Sequence, residues 1–262
     1  MSLIQISQVS KQYENGFRAL HPTTLTINSG EFTVILGPSG AGKSTLLRLL
    51  NGLETPSSGQ ILIANRQLTL ENQRRLRAEI GMIFQEFNLV SRLNVMTNIL
   101  IGRLYHRAWW ESLFYLFPKK DYDLAHWALA RVDLTEKAWN RASKLSGGQQ
   151  QRVAIARALV QQPSVILADE PVASLDPITA EEIMKLLLEI CKNDGVTVLA
   201  SLHQVGLAFQ FADRIIGINR GQVVFDGTAE QLWIEQDKLQ TIYRREDGSL
   251  DESFNMEVAL AQ

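Results

Sequence analysis

The chain has 262 residues, and its 26 Lys and Arg nearly balance 28 Asp and Glu, for a formal net charge of −2. That length supports one large domain, or a core with a smaller lobe, without disulfides or metals to hold it together. Near-neutral charge argues against non-specific nucleic-acid binding, which needs a basic excess. The one cysteine, Cys191, excludes an intrachain disulfide framework and suits a reducing compartment. In chain order, LIQISQVS and HPTTLTIN alternate apolar and polar residues as strands do. The start lacks the charged and apolar regions of a signal peptide. Asn28-Ser29-Gly30 turns the chain into an apolar strand, Phe32 to Leu36, and a helix is predicted from about Lys43 to Leu50. GQILIAN and Ile80 to Phe84 read as further strands, and helical patterning runs from Asn94 to about Trp139.

Helix, strand, helix, strand, helix then follow: Gly148 to Gln161, Ser164 to Ala168, Ile178 to Lys192, Val196 to Ser201 and Gln204 to Phe211. A hairpin is expected around Asn219-Arg220-Gly221, and GTAEQLWIEQDKLQTIYRREDG reads as a terminal helix pair. Strands alternating with helices predict an α/β fold with a mostly parallel sheet, here with an antiparallel start and a helical middle. No stretch approaches the ~18 apolar residues of a membrane-spanning helix, so the expectation is a soluble, cytosolic protein unless something tethers it. Cys191, within EIMKLLLEICKND, belongs on a helix's apolar face and reads as packing.

The chemistry begins at Gly37-Pro38-Ser39-Gly40-Ala41-Gly42-Lys43-Ser44-Thr45, between a strand and a helix. This is the phosphate-loop pattern. Its glycines let backbone N–H groups point at phosphate oxygens, and the helix N-terminus adds partial positive charge. Lys43 is expected to reach the β- and γ-phosphates, and the Ser44 hydroxyl to hold Mg²⁺. VILADE supplies the second anchor: Asp169 ends an apolar strand and suits Mg²⁺ through its water shell, while Glu170 can polarise an attacking water. LSGGQQQR opens another helix at Ser146-Gly147-Gly148, with Gln149 next; by itself that pattern also reads as a linker or a helix cap.

With the phosphate loop and the acidic strand end, LSGGQQQR resembles the signature of ATP-binding cassette (ABC) ATPases. Other matches fall in order from Leu3 to Asp226: Tyr13 resembles the aromatic that stacks on adenine, and Gln85 the glutamine of the loop between lobes, counted with the catalytic groups and the Mg²⁺ ligands. Ala173-Ser174-Leu175-Asp176 resembles the loop facing a partner subunit, and His203 the switch histidine that contacts the γ-phosphate. His21, His106 and His126 match nothing catalytic. The resemblance implies a P-loop NTPase cassette over residues 1–240, with a helical subdomain at about 90–160, and a helix and tail at 241–262. It implies a homodimer that clamps ATP between the Lys43 loop of one copy and the Ser146 helix of the other. Because no span is present, a transport role implies two separate transmembrane permease subunits at the cytoplasmic face of a bacterial inner membrane. An extracytoplasmic solute-binding protein would act indirectly, and no nucleic acid is expected.

Three stretches, FQEFNLVSRLNVMTNILIGRL, WWESLFYLFPKKD and QQQRVAIARALVQQPSVILADEPVASLDP, resemble ATPase subunits of phosphonate importers. The resemblance implies uptake of phosphonates or a related phosphorus oxyanion, phosphite or a phosphate ester. An amino-acid or metal-chelate importer is the alternative within the class. A cytosolic cassette acting on DNA or ribosomes is opposed by the single cassette and the absence of sustained heptads. A scaffold with dead catalysis is opposed by Glu170 and His203. The aromatics Trp109, Trp110, Phe114, Tyr115 and Phe117 read either as helical-lobe core or as the socket for a helix of a membrane subunit.

Overall fold

Apolar runs buried on both faces and runs buried on one face sort this chain into two sheets. The computed structural model describes residues 2–108, 110–111, 116–245 and 247–251. β1 (Ser2–Gln12), β2 (Arg18–Asn28), β4 (Ser58–Ile63) and β5 (Arg66–Gln67) form an antiparallel sheet in the order β2-β1-β4-β5. β3 (Phe32–Leu36), β6 (Ile80–Ile83), β7 (Val165–Asp169), β8 (Thr197–Leu202), β9 (Arg214–Asn219) and β10 (Gln222–Gly227) form the other, in the order β10-β9-β3-β8-β7-β6. All its pairings are parallel except the β9–β10 hairpin. That hairpin turns on Arg220 and Gly221, both at positive φ, the backbone that a two-residue loop between twisted strands requires.

The central strands are buried end to end because both faces are covered. Their alternate residues feed two cores. Phe32, Val34 and Leu36 of β3, with Ile166 and Ala168 of β7, pack among helices. Ile35 and Leu167 face the other core, with Ile4, Ile6 and the α1 (Lys43–Leu50) residues Leu46 and Leu47.

Further helices among the described residues are α2 (Gln73–Ala78), α3 (Val95–Leu100), α4 (Lys119–Arg131), α5 (Gly147–Leu159), α6 (Pro177–Asp194), α7 (Val205–Phe211), α8 (Ala229–Ile234) and α9 (Gln236–Tyr243). The helical patterning over 94–139 resolves into α3, a 3-10 segment at Ile101–His106, α4 and a 3-10 turn at Thr135–Lys137. Gly102 fits there because a Cβ would stand 2.4 Å from the Arg157 carbonyl oxygen. Asp121 of α4 is fully buried and ion-paired with Arg103 at 3.1 Å and Arg107 at 3.0 Å, fastening α4 to the 3-10 segment.

Of the aromatic stretch, Phe117 packs against the larger core, in line with the helical-lobe reading, and Trp110 is exposed. Trp109, Phe114 and Tyr115 lie outside the described residues. Among the described residues no helix is long and apolar enough to cross a membrane. Cys191 is buried on α6, in agreement with its packing role.

Candidate functional site

Parallel β3, β8 and β7 lie side by side, with Leu36 opposite Leu202 and Asp169 opposite Ser201. Three loops therefore leave the same edge of the sheet, where α/β proteins assemble their sites. The loop after β3 runs from Gly37 into α1. A Cβ on Gly37 would stand 2.1 Å from the Ile218 carbonyl oxygen, and one on Gly42 2.4 Å from that of Ala19, so neither position accepts a side chain. Gly40 and Gly42 also take positive φ. Gly42 caps α1 with no side-chain acceptor, and the first turn carries no acidic residue. The N–H groups of Lys43, Ser44 and Thr45 are left to an outside anion. Pro38, Ser39 and Ala41 complete the turn, with the Ala41 N–H donating to the Pro38 carbonyl at 3.2 Å.

Lys43 is almost wholly buried, and its ammonium donates to the carbonyls of Gly37 at 2.8 Å and Pro38 at 3.0 Å. It lies 3.3 Å from His203 Nδ1 and 3.8 Å from Glu170 Oε1. Burial pushes its pKa down to about 8, against the pull of Glu170 and then Asp169. The Ser44 hydroxyl donates to Asp169 Oδ1 at 2.7 Å. A hydroxyl and a carboxylate on one spot are hard oxygen donors of the kind Mg²⁺ takes, with phosphate and water completing its shell. Among the described residues no three His, Cys, Asp or Glu side chains gather as a metal cage; the donor set fits an ion shared with a phosphate ligand.

Glu170 follows β7 at φ 49°, a left-handed conformation that non-glycine residues rarely hold. Its N–H donates to Ser201 Oγ at 2.9 Å, and its carboxylate accepts from His203 Nε2. That bond to His203 holds the Glu170 carboxyl below its usual range, assisted by the charge of Lys43 and opposed by burial. A proton on Nε2 leaves Nδ1 as an acceptor toward Lys43. The structure thus brings Lys43, Ser44, Asp169, Glu170 and His203 together.

Other candidate residues stand elsewhere on the surface. Tyr13 stacks on Phe17 with ring centroids 6.5 Å apart, and Lys11 Nζ lies 5.1 Å over its ring. Gln85 lines a cavity of about 400 Å³ with Phe87, Ser143, Gln150 and Ser174. Ser146 caps α5 in a capping box with Gln149. Gly147 and Gly148 pack under Leu175 and Thr179. Asp176 caps α6, accepting from Thr179 N–H at 3.1 Å and Oγ1 at 2.6 Å, bonds that lower its carboxyl pKa.

An ABC transporter family model matches residues 20–173. This chain belongs to that family. It is 59% identical, over 98% of this chain and 99% of the other, to the phosphonates import ATP-binding protein PhnC 2 of Trichodesmium erythraeum. It is 58% identical, over the full length of both, to the phosphonates import ATP-binding protein PhnC of Thiobacillus denitrificans. Among solved structures, a dimeric post-hydrolysis state of an ATP-binding cassette bound to ADP and Pi is 35% identical. That match has a TM-score of 0.76 over 87% of this chain and 99% of that one. An ABC cassette binds ATP, and the mixed sheet core with an antiparallel subdomain is the cassette fold.

Ser201 and Phe17 escaped the reading of this cassette's sequence. Ser201 donates to Asp169 Oδ1 at 2.9 Å while accepting from the Glu170 N–H, so one hydroxyl orients both acids. The signal was a hydroxyl in an apolar strand two residues before His203. Phe17, beyond the turn from Tyr13, lines a cavity with Gly40, His21 and Arg220; it resembles any exposed hairpin aromatic, and sequence offers no signal for it.

Proposed function

We propose that this chain is the ATP-hydrolysing subunit of a bacterial importer and energises uptake of phosphonates or a related phosphorus oxyanion through separate membrane subunits. The observation that carries hydrolysis is the contact of Glu170 with His203 beside Lys43 at one sheet edge. The solute class rests on relatives that are named for phosphonate import and match along nearly the whole chain.

In this reading the loop from Gly37 to Thr45 holds the phosphates by its N–H groups, and Lys43 neutralises the β- and γ-oxygens. Ser44 and Asp169, with Gln85, would hold Mg²⁺, which draws negative charge from the phosphates when bound. Glu170 orients water against the γ-phosphorus, and its depressed pKa makes it a weak base, so positioning outweighs proton removal. The water oxygen bonds to phosphorus, the bond to the β,γ-bridging oxygen breaks, and ADP and phosphate leave. His203 senses the γ-phosphate. Tyr13 stacks on adenine, and Ser146, Gly147, Gly148, Gln149 and Asp176 reach the nucleotide of a second copy.

ATP closes the homodimer and hydrolysis opens it, a two-state change passed to two permeases. The cassette is therefore peripheral, at the cytoplasmic face of the inner membrane. A strain lacking this gene and dependent on methylphosphonate for phosphorus tests the proposal. Wild-type chain should restore growth and uptake of labelled methylphosphonate, and Glu170→Gln should not. Growth restored by Glu170→Gln, or uptake unchanged by the deletion, contradicts it.

A further inference from the structure

Tyr243, the last residue of α9, is among the largest side chains buried completely in this chain. A buried phenol needs a partner for its hydroxyl, and this one donates to the backbone carbonyl of His203 at 2.9 Å, across 40 residues of chain. His203 stands between the end of β8 and the start of α7. Its ring lies against Glu170 and 3.3 Å from Lys43 Nζ. Holding that carbonyl fixes the peptide from which the ring projects.

Tyr243 is itself held from several sides. Asn219 Nδ2 donates to the carbonyls of Thr241 at 2.8 Å and Arg244 at 2.9 Å, closing the end of α9. Ile242 fills the space over Gly217, where a Cβ would meet Ile242 Cδ1 at 2.4 Å. The hairpin that carries Asn219 also grips the phosphate loop. Gly221 N–H donates to the Ala41 carbonyl at 2.8 Å, and the Ile218 carbonyl occupies the place of a Gly37 side chain. One short stretch, 217–221, thereby sets α9 and the phosphate loop in a common frame, and Tyr243 carries that frame to His203.

We propose that Tyr243 is a positioning residue for ATP hydrolysis, its hydroxyl fixing the His203 backbone and so the depth of the imidazole between Glu170 and Lys43. The proposal rests on the reading that His203 and Glu170 serve hydrolysis. Tyr243 touches no reacting atom, and the phosphate loop keeps its own contacts without it, so its effect belongs to turnover rather than nucleotide capture.

The test compares the full-length wild type with Tyr243→Phe, Ile242→Val and Glu170→Gln, the last as the blank. Tyr243→Phe keeps the ring and removes only the hydroxyl. Its kcat should fall about three- to tenfold, the scale of one lost hydrogen bond, with the Kd for ATP within about twofold. Ile242→Val loosens the same helix without touching the bond; it should lower Tm while kcat stays within about twofold. In ¹⁵N-histidine spectra Tyr243→Phe should move the His203 ring resonances and leave His21, His106 and His126 in place. Unchanged kcat in Tyr243→Phe, unmoved His203 resonances, or an equal kcat loss in Ile242→Val would each overturn the proposal. Wild type turning over no faster than Glu170→Gln would instead overturn the hydrolysis reading, and the His203 resonances would still decide the Tyr243 link.

Discussion

An Ala at Gly148 probes how the start of α5 is locked to the start of α6. A Cβ there would stand 2.4 Å from Thr179 Cγ2, far inside contact distance. Thr179 cannot swing aside cheaply. It is stiff at χ1, and its N–H and Oγ1 are both bonded to the Asp176 carboxylate, at 3.1 and 2.6 Å. Overpacking of this kind costs about 1–3 kcal/mol, and replacing a helical Gly by Ala returns about 0.5–1 kcal/mol. Gly148→Ala should therefore destabilise the chain by about 1–2 kcal/mol, lowering Tm by roughly 2–8 °C for a chain of this length. Urea unfolding followed by circular dichroism measures it. Thr179→Ser removes the offending methyl and keeps the hydroxyl on Asp176. With the clash gone only the Gly→Ala gain remains, so the double variant should be as stable as Thr179→Ser alone or up to about 1 kcal/mol more stable. Wild-type stability in Gly148→Ala, or strictly additive losses in the double variant, refutes the reasoning.

Ser201→Ala should lower ATP turnover by about tenfold, because it deprives Asp169 of a donor and leaves the Glu170 N–H without its acceptor. The Mg²⁺ concentration for half-maximal rate should rise with it; a steady-state rate and Mg²⁺ dependence equal to wild type count against the orienting role. Cys191 is buried, and burial pushes its thiol pKa up, so it should resist Ellman's reagent at pH 8 in the native protein and react fully in guanidinium. Rapid native labelling contradicts that packing.

The central strands and the helices around Gln149 and Ile183 were legible because each carries a full period of buried residues flanked by turn residues, and the hairpin because Asn219-Arg220-Gly221 marks its turn. α2 was not: of its residues only Leu76 is buried, which leaves no apolar stripe to read. The phosphate loop was legible at the level of single residues because Gly37 and Gly42 have no room for side chains. The placement of Asp169, Glu170 and His203 followed from strand ends whose neighbours the sequence does not print; β8 lies between β3 and β7 only through long-range pairing. Ser201 and Tyr243 stayed hidden for that reason. Each acts through one hydrogen bond to a residue distant in sequence, and neither bond leaves a periodic or motif-like trace.

The mass of the Glu170→Gln chain with and without Mg²⁺-ATP, by light scattering during gel filtration, tests the shared-site account most directly. One chain is 29.4 kDa. The account predicts a shift to twice that mass with nucleotide, reversed on its removal and lost when Ser146→Arg is added. A 29.4 kDa species that hydrolyses ATP at the wild-type rate, or a dimer indifferent to both nucleotide and Ser146→Arg, would contradict it.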